Sequence, residues 1–167
     1  MIRDGGMTSL PRFLTAAPIL ASFLYGQSLR VPPSATDRKS PGVFSLVLEA
    51  PSGKTPVALQ WDFLVPPALA IAKEDISIGK AAQTANKLLT CAISTGKSAI
   101  PGGVRYTCIL AGGQDAIEPG PIAKVQYRAQ ADVQGAPIRV TIEKVLGVSV
   151  DLKRIEIPNA EAIINIR

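Results

Sequence analysis

The sequence predicts an all-β domain, two antiparallel sheets packed face to face as a sandwich. Three observations point there. Beyond Val43, apolar and polar residues alternate with period two almost everywhere. The alternating runs are separated by "PSGKTP", "VPPA", "AIPGG", "EPGP" and "QGAP", turn chemistry at about the spacing of a sandwich. Each run also offers one apolar and one polar side, as a strand lying between a core and water must.

The chain opens with "MIRDGGMTSLPRFLTAAPILASFLYGQSLR". Arg3 and Arg12 precede an apolar run from Phe13 to Tyr25, and small residues such as Gly26 follow. That is the layout of a secretory signal peptide, here assigned to residues 1–27, with Met7 as an alternative start. The run is about 13 residues long, against roughly 20 needed to span a bilayer, so no stable membrane span is expected. A buried N-terminal helix is the other reading of the same run. Residues 28–42, "SLRVPPSATDRKSPG", lack periodicity, carry three prolines and read as a flexible leader. About 140 residues remain after cleavage, enough for one domain with its own core.

The domain proper is assigned to residues 43–167. "VFSLVLEA" (43–50) puts Phe44, Leu46, Leu48 and Ala50 on one side. "VALQWDFLV" (57–65) puts Val57, Leu59, Trp61, Phe63 and Val65 together, with Ala58, Gln60, Asp62 and Leu64 opposite. In "IAKVQYRAQA" (122–131) the residues Ala123, Val125, Tyr127, Ala129 and Ala131 face one way, and Ile122, Lys124, Gln126, Arg128 and Gln130 the other. "IRVTIEKV" (138–145) alternates likewise, and "AEAIINIR" (160–167) is a last apolar strand. Only "GKAAQTANKLL" has helical flavour, as a short helical turn or a loop.

From Ser28 onward there are 16 Lys+Arg and 12 Asp+Glu, with no run of like charges longer than two. Without a basic run this argues against a nucleic-acid binder and allows only a mild preference for acidic partners. Both cysteines lie in "KLLTCAISTGKSAIPGGVRYTCIL" (87–110) of a chain without histidine. Two cysteines and no histidine build no zinc pattern, and no electropositive pocket or histidine partner marks a catalytic thiol. Cys91 shares strand phase with Leu89 and Ile93, and Cys108 with Val104, Tyr106 and Leu110, so both thiols are expected inward. Export favours a disulfide between Cys91 and Cys108, with two buried free thiols as the alternative. Closing the loop between them would contribute about 3 kcal/mol in the chain-entropy model.

The catalytic-looking motifs dissolve on inspection. "SGKT" (52–55) and "TGKS" (95–98) resemble the tail of a phosphate-binding loop, but Leu48 and Cys91 stand where its first glycine belongs. "SIGK" (77–80) and "STGK" (94–97) match a Ser-x-x-Lys pair without its helix or companion signatures. Glu74 and Asp75 are adjacent, so on a strand they would face opposite ways. No calcium-loop pattern occurs. No enzyme activity, metal or cofactor is expected.

"SLVLEAPSGKTPVALQWDFLVPPALAIAKEDISIG" resembles the opening of a cohesin domain: a strand, a short turn, a strand with a "Leu-Gln-aromatic" core, an extended "Pro-x-x-Leu" segment and a short strand ending in glycine. "IEPGPIAKVQYRAQADVQGAPIRVTIEKV" is similar to the family's glycine-led sixth strand, turn and seventh strand, and "VSVDLKRIEIPNAEAIINIR" to its closing strands. The resemblance covers residues 43–167 and implies a jelly-roll sandwich of about nine strands, in the superfamily that also holds carbohydrate-binding modules. It implies that the fourth and fifth strands lie in opposite sheets, which would make Cys91–Cys108 an inter-sheet bond.

The resemblance also implies a function: an exported, non-catalytic module, secreted, periplasmic or on the cell surface, that binds a dockerin-like or cell-envelope protein. Cohesins bind dockerin mainly on the flat sheet of the third, fifth, sixth and eighth strands. Counted from Val43, the outward residues of strand five are Arg105, Thr107 and Ile109. Those of strand six are Lys124, Gln126, Arg128 and Gln130. Arg105, Thr107, Lys124, Gln126 and Arg128 are therefore expected to form one polar, locally basic partner-binding patch suited to an acidic partner. The plain alternative is an ordinary solvated sheet face. The rival functions are polysaccharide binding, which needs an exposed aromatic row, and a purely structural role in a surface assembly. Phe44, Trp61, Phe63, Tyr106 and Tyr127 all fall on apolar phases, so they are expected in the core.

Overall fold

The computed structural model describes residues 26–94, 100–130, 135 and 137–167. The expected signal segment falls almost wholly outside the described residues, as does "TGKS" (95–98). In chain order the elements are β1 (Ser28–Arg30), β2 (Ser34–Thr36), β3 (Gly42–Glu49), β4 (Ala58–Val65), β5 (Leu69–Ala70) and β6 (Ile76–Ile78). The helix α1 (Lys80–Thr84) is a single short turn. Then come β7 (Leu88–Ile93), β8 (Val104–Ala111), β9 (Gly120–Ala129), β10 (Ile138–Val148), β11 (Arg154–Glu156) and β12 (Ala160–Ile166).

Two sheets form the sandwich. One runs β1-β3-β9-β5, with β6 also on β9; the other runs β2-β12-β10-β4-β8-β7, with β11 on β10. All pairs are antiparallel except β12 with β2, which run parallel. Those two strands are remote in sequence, so no hairpin constrains their direction.

Period-two patterning explains which side chains fill the space between. Phe44, Leu46 and Leu48 of β3, Val125 and Tyr127 of β9, Leu59, Trp61 and Phe63 of β4, and Val140 and Ile142 of β10 are all buried in one core. Burying each large apolar side chain is worth about 1.5–3 kcal/mol on transfer. Trp61 meets Phe63 edge to face at 6.0 Å. Gly79 closes β6 against β9, its N–H donating to Ile122 O at 2.8 Å. A Cβ there would stand 2.4 Å from Pro121 O, so the chain passes only as glycine.

Two expectations change. Residues 28–42 are not a leader alone: they supply β1, which pairs with β3, and β2, which pairs with β12. Each is a three-residue strand beside a proline pair, too short to show a period. The cysteines are bonded, but within one sheet: Cys91 and Cys108 are directly opposite on β7 and β8. Adding β1 ahead of Val43 moves the strand count by one. Residues 88–93 thus become the fifth strand and 104–111 the sixth, and these two are neighbours.

Candidate functional site

The outer face of the larger sheet holds an arrangement of charge that an open strand face does not ordinarily hold. β4 alternates in its first half, but from Trp61 to Val65 every residue is buried, the outward Asp62 and Leu64 included. Cross-strand register explains this. Thr107 of β8 and Glu143 of β10 flank Asp62 on either side, and Arg105 flanks Leu64 one step along. Thr107 Oγ1 donates to Asp62 Oδ1 at 2.7 Å. Arg105 Nη1 donates both to Asp62 Oδ2 at 2.8 Å and to Glu143 Oε1 at 2.6 Å.

A bulge in β10 supplies the fourth charged member. The register shifts between Glu143 and Leu146, and Lys144 takes φ +53°, a conformation unusual for a side-chain-bearing residue. That turn carries Lys144 Nζ to 3.4 Å from Asp62 Oδ2, while the rest of its side chain stays exposed. Burial alone would raise the Asp62 carboxyl's pKa; the bonds from Thr107, Arg105 and Lys144 outweigh it and hold the group below its ordinary value. Arg105 is correspondingly pushed up by Asp62 and Glu143. Two carboxylates and two cations make the cluster neutral.

Beside it the face is mixed, with exposed aliphatic side chains among polar ones. The next row of the register reads Thr90, Ile109, Gln60, Leu146 across β7, β8, β4 and β10. Ile109 is 47% exposed and Leu88, near it on β7, 74%. A sheet face with a partly buried ion network and exposed aliphatic side chains can hold a protein surface.

The five expected partner residues do not form one patch. Arg105 and Thr107 lie on β8 in the larger sheet, and Lys124, Gln126 and Arg128 on β9 in the smaller one, on the opposite outside of the sandwich. Nor is Arg105 a free cation, since its guanidinium is spent on Asp62 and Glu143. Lys124, Gln126 and Arg128 do share an exposed face, with Ser45 and Ser77 flanking Lys124. Among the described residues, Lys124 and Arg128 form no ion pair. Asp62, Glu143 and Lys144 were missed. The one signal for them was an acidic residue in the outward phase of the otherwise apolar "WDFLV".

Every aromatic ring among the described residues is buried, Trp61 completely, so none forms a platform for sugar rings. Among those residues, no helix is long and apolar enough to cross a membrane.

The sequence matches no protein-family model and no curated protein sequence. The architecture does match solved structures. A cohesin from a Coh-OlpC–Doc435 type I cohesin–dockerin complex of Clostridium thermocellum superposes with a TM-score of 0.64 at 14% identity, over 86% of this chain and 96% of that one. The sixth cohesin of scaffoldin B from Acetivibrio cellulolyticus, in complex with a Cel5 dockerin mutant, gives 0.63 at 12% identity over 85% and 99%. The fold is that of a cohesin module. A non-cellulosomal cohesin from the archaeon Archaeoglobus fulgidus is similar too, at 0.56 and 11% identity over 83% and 91%. At these identities the likeness is one of fold.

Proposed function

We propose that this chain is an exported, non-catalytic protein-binding module whose partner, of dockerin type, docks on the outer face of β10, β4, β8 and β7. The observation that carries the reading is the order of that sheet. With the short additions β2 and β11 set aside and β5–β6 counted as one strand, the third, fifth, sixth and eighth strands are β4, β7, β8 and β10. They are contiguous in one sheet, as the cohesin resemblance requires of a partner face.

The surface chemistry supports the same face. The Asp62–Arg105 pair at the centre of the cluster is already desolvated and fixed, so binding would order little there, while Ile109 and Leu88 offer apolar area to cover. Several of the similar structures are cohesins held in complexes with dockerins. Export is supported by the layout of residues 1–27 and by the Cys91–Cys108 bond, a pairing that persists in oxidising compartments.

Titration calorimetry of the purified chain against dockerin modules encoded in the same genome tests the reading. One of them is expected to bind with one-to-one stoichiometry, and Ile109→Asp to weaken it at least about tenfold. Absence of binding across the set, or binding indifferent to Ile109→Asp, overturns it.

A further inference from the structure

A sheet edge is a row of unpaired N–H and C=O groups, and folded proteins guard such rows with short strands, prolines or charges. Three of the edges here are guarded. β2 has three residues, follows Pro32 and Pro33, and leads into Asp37, Arg38 and Lys39. β1 has three residues and ends in Arg30. The far side of the smaller sheet is capped by β5 and β6, two and three residues long, with Pro66 and Pro67 before them and Lys73, Glu74 and Asp75 between.

β7 is different. It is the terminal strand of its sheet, six residues long, without charge, proline or bulge, and the disulfide to Cys108 holds it flat against β8. The register shows which groups face outward. Ser94 N–H donates to Arg105 O at 2.8 Å, which makes that pair hydrogen-bonded. Alternation then turns the backbone of Leu88, Thr90 and Ala92 toward β8 and that of Leu89, Cys91 and Ile93 away from it. The Cα–Cα distance of 4.1 Å between Cys91 and Cys108 agrees, being that of a closely spaced, non-hydrogen-bonded pair. Among the described residues, the outward groups of Leu89, Cys91 and Ile93 have no partner.

We propose that β7 is a self-pairing edge, on which two copies of the chain join antiparallel about a two-fold axis through Cys91. In that register Cys91 lies opposite the second copy's Cys91, and Leu89 opposite its Ile93, so about six hydrogen bonds use all the outward groups. The alternation of the sheet continues across the axis. Ile93 points to the core side yet is 60% exposed, because the edge ends beside it; the second copy's Leu89 covers it. On the outer face Thr90 meets Ala92. With no charge on the strand itself, no like charges stand opposite one another within the new ladder. The contact is isologous and closes at two copies.

Analytical ultracentrifugation of the full chain with its disulfide intact, joined to amide exchange by NMR, tests this. A concentration-dependent monomer–dimer equilibrium is expected. Exchange at Leu89, Cys91 and Ile93 should slow as dimer forms, while Thr90 and Ala92 stay protected throughout. Ile93→Lys should weaken the dimer at least about tenfold and leave the monomer's Tm unchanged. Its side chain is on the core-side phase, so loss of dimer in this variant with partner binding intact separates the edge from the proposed partner face. A monomer at all concentrations up to about millimolar overturns the proposal. So does a dimer that leaves those three amides unprotected, growth into open polymers, or protection that arises only when a different protein adds a strand.

Discussion

Arg105 and Asp62 lie diagonally across β8 and β4 on the outside of the sandwich, yet neither side chain is in water: they are 10% and 5% exposed. The guanidinium spans two carboxylates, Asp62 at 2.8 Å and Glu143 at 2.6 Å. Such a pair is held less for its net worth than because neither member can be removed singly. Desolvating both ions costs several kcal/mol, which their attraction only roughly offsets, but one ion left alone keeps its full penalty.

Arg105→Ala should therefore destabilise the fold by about 3–5 kcal/mol, read as a lower urea midpoint at unchanged slope. Arg105→Glu should be worse, because it sets a third carboxylate beside two. A double-mutant cycle with Asp62→Asn should recover much of the loss, since the amide needs no cation. Arg105→Ala behaving like a surface substitution, within about 0.5 kcal/mol, would contradict the buried network.

Acid should act through the same carboxylate. Asp62 is held below its ordinary value in the folded chain. The unfolded chain, with a carboxyl near 3.9, therefore binds more protons in the window between the two values. Stability from Asp62 is complete above about pH 4 and is lost as pH falls through the lower folded value. Urea midpoints measured from pH 7 down to pH 2 should fall less steeply for Asp62→Asn than for the native chain. Parallel curves would remove Asp62 from the account.

How much of this was legible follows from the range of each interaction. Strand phases were readable because a period of two is local: β3, β4, β9, β10 and β12 fall on the alternating runs. β1 and β2 were not, since three residues beside two prolines show no period. The Cys91–Cys108 pairing was readable as chemistry, but its place within one sheet depended on counting β1. The Asp62 cluster joins residues 43 and 45 positions apart, so only the register could reveal it.

The disulfide stiffens the edge that the dimer would use. Denaturing, non-reducing titration should find no free thiol. Replacing Cys91 and Cys108 by alanine should cost about 2–5 kcal/mol, the range for small exported domains. Because β7 is a terminal strand, the loss should appear first as fast amide exchange in 88–93, before global unfolding. Uniform loss across both sheets would mean the bond acts on the whole fold.

Gly79 offers a test of the path between the sheets. Gly79→Ala puts a methyl 2.4 Å from Pro121 O, and that neighbour is backbone, unable to swing away. The predicted outcome is a Tm drop larger than the loss of the glycine N-cap of α1 alone could explain. The bond from Gly79 N–H to Ile122 O should weaken with it, visible as faster exchange at residue 79. A variant as stable as the native chain would show that β9 can shift to make room.

The two outer faces can be told apart by their charges. Lys144 is exposed beside Asp62 on the larger sheet, while Lys124 and Arg128 stand on the smaller one. Charges at an interface rim chiefly steer encounter, so reversing one changes the association rate and its salt dependence, with little effect on dissociation. Lys144→Glu is therefore expected to change the association rate of a bound partner by about tenfold between low and physiological salt. The direction is set by the partner's own charge. Lys124→Glu combined with Arg128→Glu should leave both rate and affinity alone, because that face looks the opposite way. Lys124 and Arg128 are exposed and form no ion pair among the described residues, so their replacement should hardly move the melting temperature; Lys144→Glu sets a third carboxylate beside Asp62 and Glu143 and should lower it, so its binding is read well below its own Tm. Stopped-flow or surface-based kinetics across a salt series distinguishes the outcomes. Should the Lys124/Arg128 pair abolish binding while Lys144→Glu does nothing, the partner sits on the smaller sheet, and the strand order that favours β10, β4, β8 and β7 describes the fold alone.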